Sequence, residues 1–135
     1  MAEAVVHVID DDEAMRDSLS YLLESTNIAV RTYESALEFL RQLDSIEAGC
    51  IVTDVRMPEM SGLELVRRLR EQGVDFPVIV MTGHADVPLA VEAMKAGALE
   101  FLAKPFEEEV LLRAIQSALR GGPPGHDPTE KKRLQ

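Results

Sequence analysis

The chain has a single cysteine, no tryptophan and few aromatic residues, 4% of its 135 positions. One cysteine, Cys50, excludes an internal disulfide and fits a reducing compartment, so a cytoplasmic protein is expected. Its plain role is that of a small core hydrophobe. Scarce aromatics leave an aliphatic core, and a hydrophobic fraction of 46% is ordinary for one globular domain. No basic segment precedes an apolar one at the N-terminus, so no signal peptide is expected. No apolar run approaches the ~20 residues needed to span a bilayer. Positive charge is also short: a net charge of −10 argues against a grip on nucleic-acid phosphates. Lys131-Lys132-Arg133 is too brief and too near the end to reverse that. No phosphate-cradling loop rich in Gly, Ser or Thr follows Ile9, which counts against a nucleotide- or flavin-binding module.

What is present is an alternation of short apolar runs with amphipathic stretches, the pattern of βαβ units and a parallel sheet. Met15, Leu19, Leu22 and Leu23 recur at helical spacing through 13–25. The stretch 29–33 reads as a strand. Ser35-Ala36-Leu37-Glu38 has the form of a capping box and opens a helix with Leu37, Leu40 and Leu43 inward. Ser61-Gly62-Leu63-Glu64 repeats that form ahead of Leu65, Val66 and Leu69. Gly73 ends that helix, and Pro77 leads into the fourth strand. Asp86-Val87-Pro88 starts a fourth helix, with proline where its missing N–H costs nothing, and Gly97 ends it. Glu107-Glu108-Glu109 suits a first helical turn, followed by an apolar stripe of Val110, Leu111, Ala114, Ile115 and Ala118. Gly121 to Pro128 has no apolar period and reads as a linker or disordered tail.

Polar residues sit where the strands should stop. Val5 to Ile9 stops at Asp10-Asp11-Asp12-Glu13, and Cys50 to Thr53 stops at Asp54. Val78 to Met81 ends at Thr82-Gly83, and Glu100 to Ala103 ends at Lys104-Pro105. In an open parallel sheet the carboxyl ends of strands border the ligand crevice. Carboxylates gathered there repel one another unless a cation neutralises them, so a divalent metal and phosphate chemistry are expected. Asp12 and Glu13 have the weaker claim and read as a helix cap and first turn.

The segments Ile9-Asp10-Asp11, Asp54-Val55-Arg56-Met57-Pro58-Glu59-Met60-Ser61-Gly62, Met81-Thr82-Gly83-His84, Met94-Lys95-Ala96-Gly97-Ala98 and Phe101-Leu102-Ala103-Lys104-Pro105-Phe106 resemble the receiver domain of two-component response regulators, in its FixJ-like branch. The likeness runs from about Val5 to Arg120. It implies a flavodoxin-like (CheY-like) α/β fold: a five-stranded parallel sheet of order 2-1-3-4-5 with five helices. It also implies a receiver at 1–120 and a linker or tail at 121–135. Such receivers are followed by a DNA-binding domain, so this is either part of a longer regulator or a stand-alone receiver; both stay open.

The resemblance further implies roles. Asp54 would accept a phosphoryl group from a sensor histidine kinase, and Thr82 and Lys104 would contact that group. Mg²⁺ would be held by Asp11 and Asp54, by the main-chain carbonyl of Arg56, and by Asp10 through water. The Lys104–Pro105 peptide would be cis and aim the lysine. Thr82 and Phe101 would form the switch, with Phe101 turning inward as Thr82 moves. Arg56 and His84 would flank the path of the hydrolytic water. His84 has no partner His or Cys at ligand spacing and reads otherwise as a solvated loop residue. A homodimer would form through Val87–Ala96 and Glu100–Ala103, unless the apolar residues there face the sheet. The domain would catalyse only its own phosphotransfer and dephosphorylation.

Two further readings differ in class. A haloacid-dehalogenase-like phosphatase also uses a strand-end aspartate but wants a second two residues on, where this chain has Arg56. A stand-alone receiver could serve as a phosphate sink or interaction module; a degenerate one would lack acidic or lysine positions, and none is missing here.

Overall fold

The computed structural model describes residues 4–84 and 86–120. The expected tail, 121–135, lies outside them. Strands β1 (Val5–Ile9), β2 (Ala29–Tyr33), β3 (Gly49–Asp54), β4 (Val78–Thr82) and β5 (Glu100–Ala103) alternate with helices α1 (Glu13–Ser25), α2 (Ala36–Arg41), α3 (Gly62–Glu71), α4 (Val87–Ala96) and α5 (Glu108–Leu119). All strand pairs are parallel and the sheet order is 2-1-3-4-5, as the family resemblance implies. The register aligns Ile9 with Thr53 and Asp54 with Met81.

Helices cover both faces, so the inner strands are apolar on both sides. Successive side chains of a strand point to opposite faces, which divides the core in two. Ile9, Ile51, Val78 and Val80 pack with residues of α2, α3 and α4. Val6, Val8, Cys50, Val52, Ile79 and Met81 pack with α1 and α5. Each fully buried aliphatic side chain contributes about 1.5–3 kcal/mol. Cys50 is buried and burial pushes its thiol up to about 12, which suits an inert core residue.

Caps set the helix starts. The side chains of Asp12, Ser35, Ser61 and Asp86 accept main-chain N–H bonds at the N-termini of α1, α2, α3 and α4. Gly73 and Gly97 have positive φ after α3 and α4, the conformation glycine adopts without a Cβ penalty. The first capping box is modified: Glu38 reaches back to the N–H of Glu34, not of Ser35. In the second, Glu64 pairs sideways with Arg67 and Arg68.

Two helical faces differ from expectation. The buried residues of α2 are Ala36 and Phe39, while Leu37, Leu40 and Leu43 are only partly covered. The helix stops at Arg41 and a 3-10 turn carries Leu43, so the leucine spacing does not mark one inward stripe. In α5, Leu111, Ile115 and Ala118 are buried but Val110 is 41% exposed, because β5 is the edge strand and no described strand lies beyond it. The aliphatic core also holds an aromatic cluster. Fully buried His7 lies 5.8 Å from Tyr33 and 5.6 Å from Phe39 between ring centroids. Its Nε2–H donates to the Glu47 carbonyl at 2.8 Å, so Nδ1 accepts from the Tyr33 hydroxyl at 3.0 Å. Burial lowers its pKa, and a neutral His7 fits the apolar run in which it sits.

One close approach fixes where β3 ends relative to α3. A Cβ on Gly62 would lie 2.3 Å from the carbonyl oxygen of Asp54. Gly62→Ala is therefore expected to destabilise the domain by about 1–3 kcal/mol, although alanine is the better helix former. Gly83→Ala, which meets nothing within 4 Å, is expected to stay within ~0.5 kcal/mol of the parent. Urea denaturation of the two variants measures the contrast.

Candidate functional site

The strand ends bring four charged groups together. Asp10 follows β1, Asp54 closes β3 and Lys104 follows β5. By the period of two, Asp10 continues the Val6–Val8 series and Asp54 the Cys50–Val52 series, so both lean toward the face of α1 and α5. Asp10 is 1% exposed, Asp54 is buried and Asp11 is exposed. One oxygen from each of the three lies within 4.8 Å of the others. Lys104 Nζ reaches across to both buried carboxylates, 3.4 Å from Asp10 Oδ2 and 3.4 Å from Asp54 Oδ1. The Lys104–Pro105 peptide is cis. The Lys104 N–H also donates to the Thr82 carbonyl at 2.7 Å, which continues the β4–β5 pairing to the end of the site.

The charges do not balance. Burial pushes the Asp54 carboxyl above its ordinary value, the Lys104 ammonium pulls it back, and Asp10 and Asp11 push it up again. Three carboxylates against one ammonium leave about two negative charges in a partly buried cleft. Oxygen-only donors, close together and short of positive charge, fit a hard divalent cation that keeps several waters. They offer no nitrogen or thiolate for a softer metal.

The remaining expected residues surround this cluster. Thr82 is fully buried, and its hydroxyl oxygen accepts the His84 N–H at 3.1 Å. His84 is exposed, and so is Arg56, whose side chain lines a groove with Asp86, Val87, Leu89 and Val91. Phe101 is half-buried against the α4-side core and pairs with Val80, two residues before Thr82 on the same face of β4. Asp12 is the N-cap of α1, with Glu13 in the first turn, as the sequence suggests. On α4, Leu89 and Ala93 face the core, whereas Val87, Val91 and Met94 are exposed. Two residues escaped the sequence reading. Thr53 gives its hydroxyl to the Asp54 carbonyl at 3.1 Å, and Arg16 gives Nη1 to the Asp10 carbonyl at 2.7 Å. Arg16 is an ordinary helix-forming residue in an ordinary helical position, so only the fold exposes its contact.

The model of the response regulator receiver domain matches residues 6–116. The transcriptional regulatory protein FixJ of Bradyrhizobium diazoefficiens is 52% identical over 119 residues, 88% of this chain and 58% of that protein. FixJ of Azorhizobium caulinodans is 56% identical over 114 residues, 84% of this chain and 54% of that protein. The chain thus spans little more than half the length of these relatives. The crystal structure titled FixJ-N superposes with a TM-score of 0.83 at 48% identity, covering 89% of this chain and 96% of that one.

The raised Asp54 carboxyl has a sign that stability measurements can read. A carboxyl with a higher pKa folded than unfolded holds its proton better in the native state. Its ionisation therefore removes stability as pH climbs from the unfolded toward the folded pKa. Without divalent metal, Asp54→Asn is expected to melt a few degrees above the parent at neutral pH. The gap is expected to close once the pH falls below the ordinary carboxylate range. Thermal melts from pH 3 to 8 in chelator check this.

Proposed function

Because the chain belongs to the response regulator receiver family, we propose that Asp54 accepts a phosphoryl group from the phosphohistidine of a sensor histidine kinase. The observation that supports this best is the one ammonium shared by two buried carboxylates at the strand ends. An ionised Asp54 oxygen attacks phosphorus, the P–N bond breaks, the imidazole leaves, and an acyl phosphate forms. Lys104, at present on Asp10 and Asp54, is placed to follow the charge onto the phosphoryl oxygens. The Thr82 hydroxyl would contact the same group. Asp11 and Asp54 would hold Mg²⁺ with the Arg56 main-chain carbonyl, and Asp10 through water; bound there, the ion would offset charge on the transferring group. The domain would act catalytically only on itself, with exposed Arg56 and His84 beside the water that removes the phosphate.

Phosphorylation adds about −1.5 to −2 charges and three acceptor oxygens. Thr82 would move toward them and Phe101 would turn further inward into the space released. Reversing a 1:99 equilibrium needs about 5.5 kcal/mol, a large demand on two side chains, so phosphorylation is read as biasing two states that coexist. Val87, Val91 and Met94, exposed on α4 beside Lys95 and Glu92, support a phosphorylation-dependent homodimer through Val87–Ala96 and Glu100–Ala103. We place the receiver unit at 1–120, 121–135 as a linker or tail, transcription as the output where a DNA-binding domain follows, and the cytoplasm as its compartment. Among the described residues no helix is long and apolar enough to cross a membrane.

Incubation with acetyl phosphate and Mg²⁺ is expected to add one phosphoryl group to the parent and none to Asp54→Asn, as intact mass reads directly. Labelling of that variant at the parental rate would refute the acceptor. Sedimentation of the labelled domain is expected to show a raised dimer fraction, reduced in Lys95→Glu. A labelled domain that stays monomeric at high concentration would refute the α4–β5 face.

A further inference from the structure

Every oxygen of Asp10 is held, and only one of the three holders, Lys104, has a part in the chemistry above. Oδ1 accepts the Asp12 N–H at 2.9 Å, and Oδ2 faces Lys104 Nζ at 3.4 Å. The main-chain oxygen accepts Arg16 Nη1 at 2.7 Å. That oxygen lies one residue past β1, where the strand ladder has stopped, and no described main-chain N–H reaches it. Arg16 is half-buried in α1, four residues after the cap Asp12, whose carbonyl accepts its N–H at 3.1 Å. Its guanidinium therefore turns back over the start of its own helix to tie down Asp10, two residues before the cap. Asp12 Oδ1 in turn accepts the Ala14 N–H at 3.0 Å, so the 10–12 loop is closed on both sides.

Asp11 lies in the middle of that loop. It is exposed, and its carboxylate takes no hydrogen bond from any described residue. The backbone of the loop sets where its side chain starts, with no described partner to hold the carboxylate itself. Without metal, Asp10, Asp11 and Asp54 repel one another, and the loop that carries two of them is the part free to yield. A charge-assisted bond from a guanidinium, which does not lose its proton, resists that movement in a way a neutral donor would not.

We propose that Arg16 is a positioning residue of the divalent-cation site: its bond to the Asp10 carbonyl holds the 10–12 loop so that Asp10 and Asp11 stay within ligating distance of Asp54. Arg16 touches neither the ion nor the phosphoryl group. The inference rests on the cation reading above and adds to it the device that keeps two carboxylates in register against their own repulsion. Outer partners of this kind commonly alter metal affinity by about 10–100-fold.

Calorimetric titration of the full chain with Mg²⁺ tests this in Arg16→Met, which keeps the apolar stem of the side chain, and in Arg16→Lys. Arg16→Met is expected to bind Mg²⁺ about 10-fold more weakly. Arg16→Lys is expected to recover most of the loss, since the contact runs through one nitrogen and needs one charged donor. A second readout needs no metal. The Asp12 amide, whose acceptor is Asp10 Oδ1, is expected to exchange faster in Arg16→Met, while amides of central β3 keep their rates. A variant that melts lower but retains parental affinity and Asp12 exchange would overturn the role of Arg16 and leave the cation site standing. A parent chain without Mg²⁺ affinity would overturn the cation reading and this inference together.

Discussion

One ammonium serves two buried carboxylates and still leaves the site negative. Lys104 stands 3.4 Å from both Asp10 and Asp54, at the far end of a sheet whose strands bring all three to one edge. In water such a pair contributes little, but here both acids are nearly out of solvent and their repulsion is poorly screened. Lys104, the residue that carries the charge across, is anchored by its main chain to Thr82. The site is thus poised to gain positive charge. A divalent cation would supply it, and would also offset the charge that a phosphoryl group adds.

The scaffold gives this edge its precision. Central strands buried on both faces hold the ends of β1 and β3 in register, and the approach of Gly62 to the Asp54 carbonyl locks α3 against β3. Below the site, His7, Tyr33 and Phe39 close the α2 side of the sheet with a fully hydrogen-bonded imidazole, and no described buried side-chain polar atom lacks a partner. Burial is deep in the strands where Asp10 and Asp54 are rooted. The outer face of α4 instead presents Val87, Val91 and Met94 to solvent.

Four strands are legible because their apolar runs are short and end at Asp, Thr-Gly or Lys-Pro. Four caps are legible because Ser or Asp precedes the apolar period at the right distance, whereas α5 starts at Glu107 without a side-chain cap. Order and site roles came from motif likeness, since no periodicity says which strand lies beside which. Where the reading went astray, the cause is local. In α2 three leucines outweighed one phenylalanine, yet Phe39 has the fully buried place and the helix ends too soon to align Leu43. In α5, Val110 looked like core because sequence does not mark β5 as the uncovered edge. The contacts of Arg16, Thr53 and His7 are not legible for one reason: each bonds a main-chain carbonyl, and such partners leave no trace in residue type.

The central claim is that the strand-end carboxylates form one defined cation site and are not simply part of an acidic surface. The most direct measurement is the stoichiometry and affinity of Mg²⁺ binding to the chain and to Asp11→Asn, with Glu108→Gln as a control that removes the same charge elsewhere. The account requires one ion per chain, bound at least about 10-fold more weakly by Asp11→Asn and unchanged in Glu108→Gln. Equal weakening in both variants would show that net charge alone attracts the ion, and would contradict it.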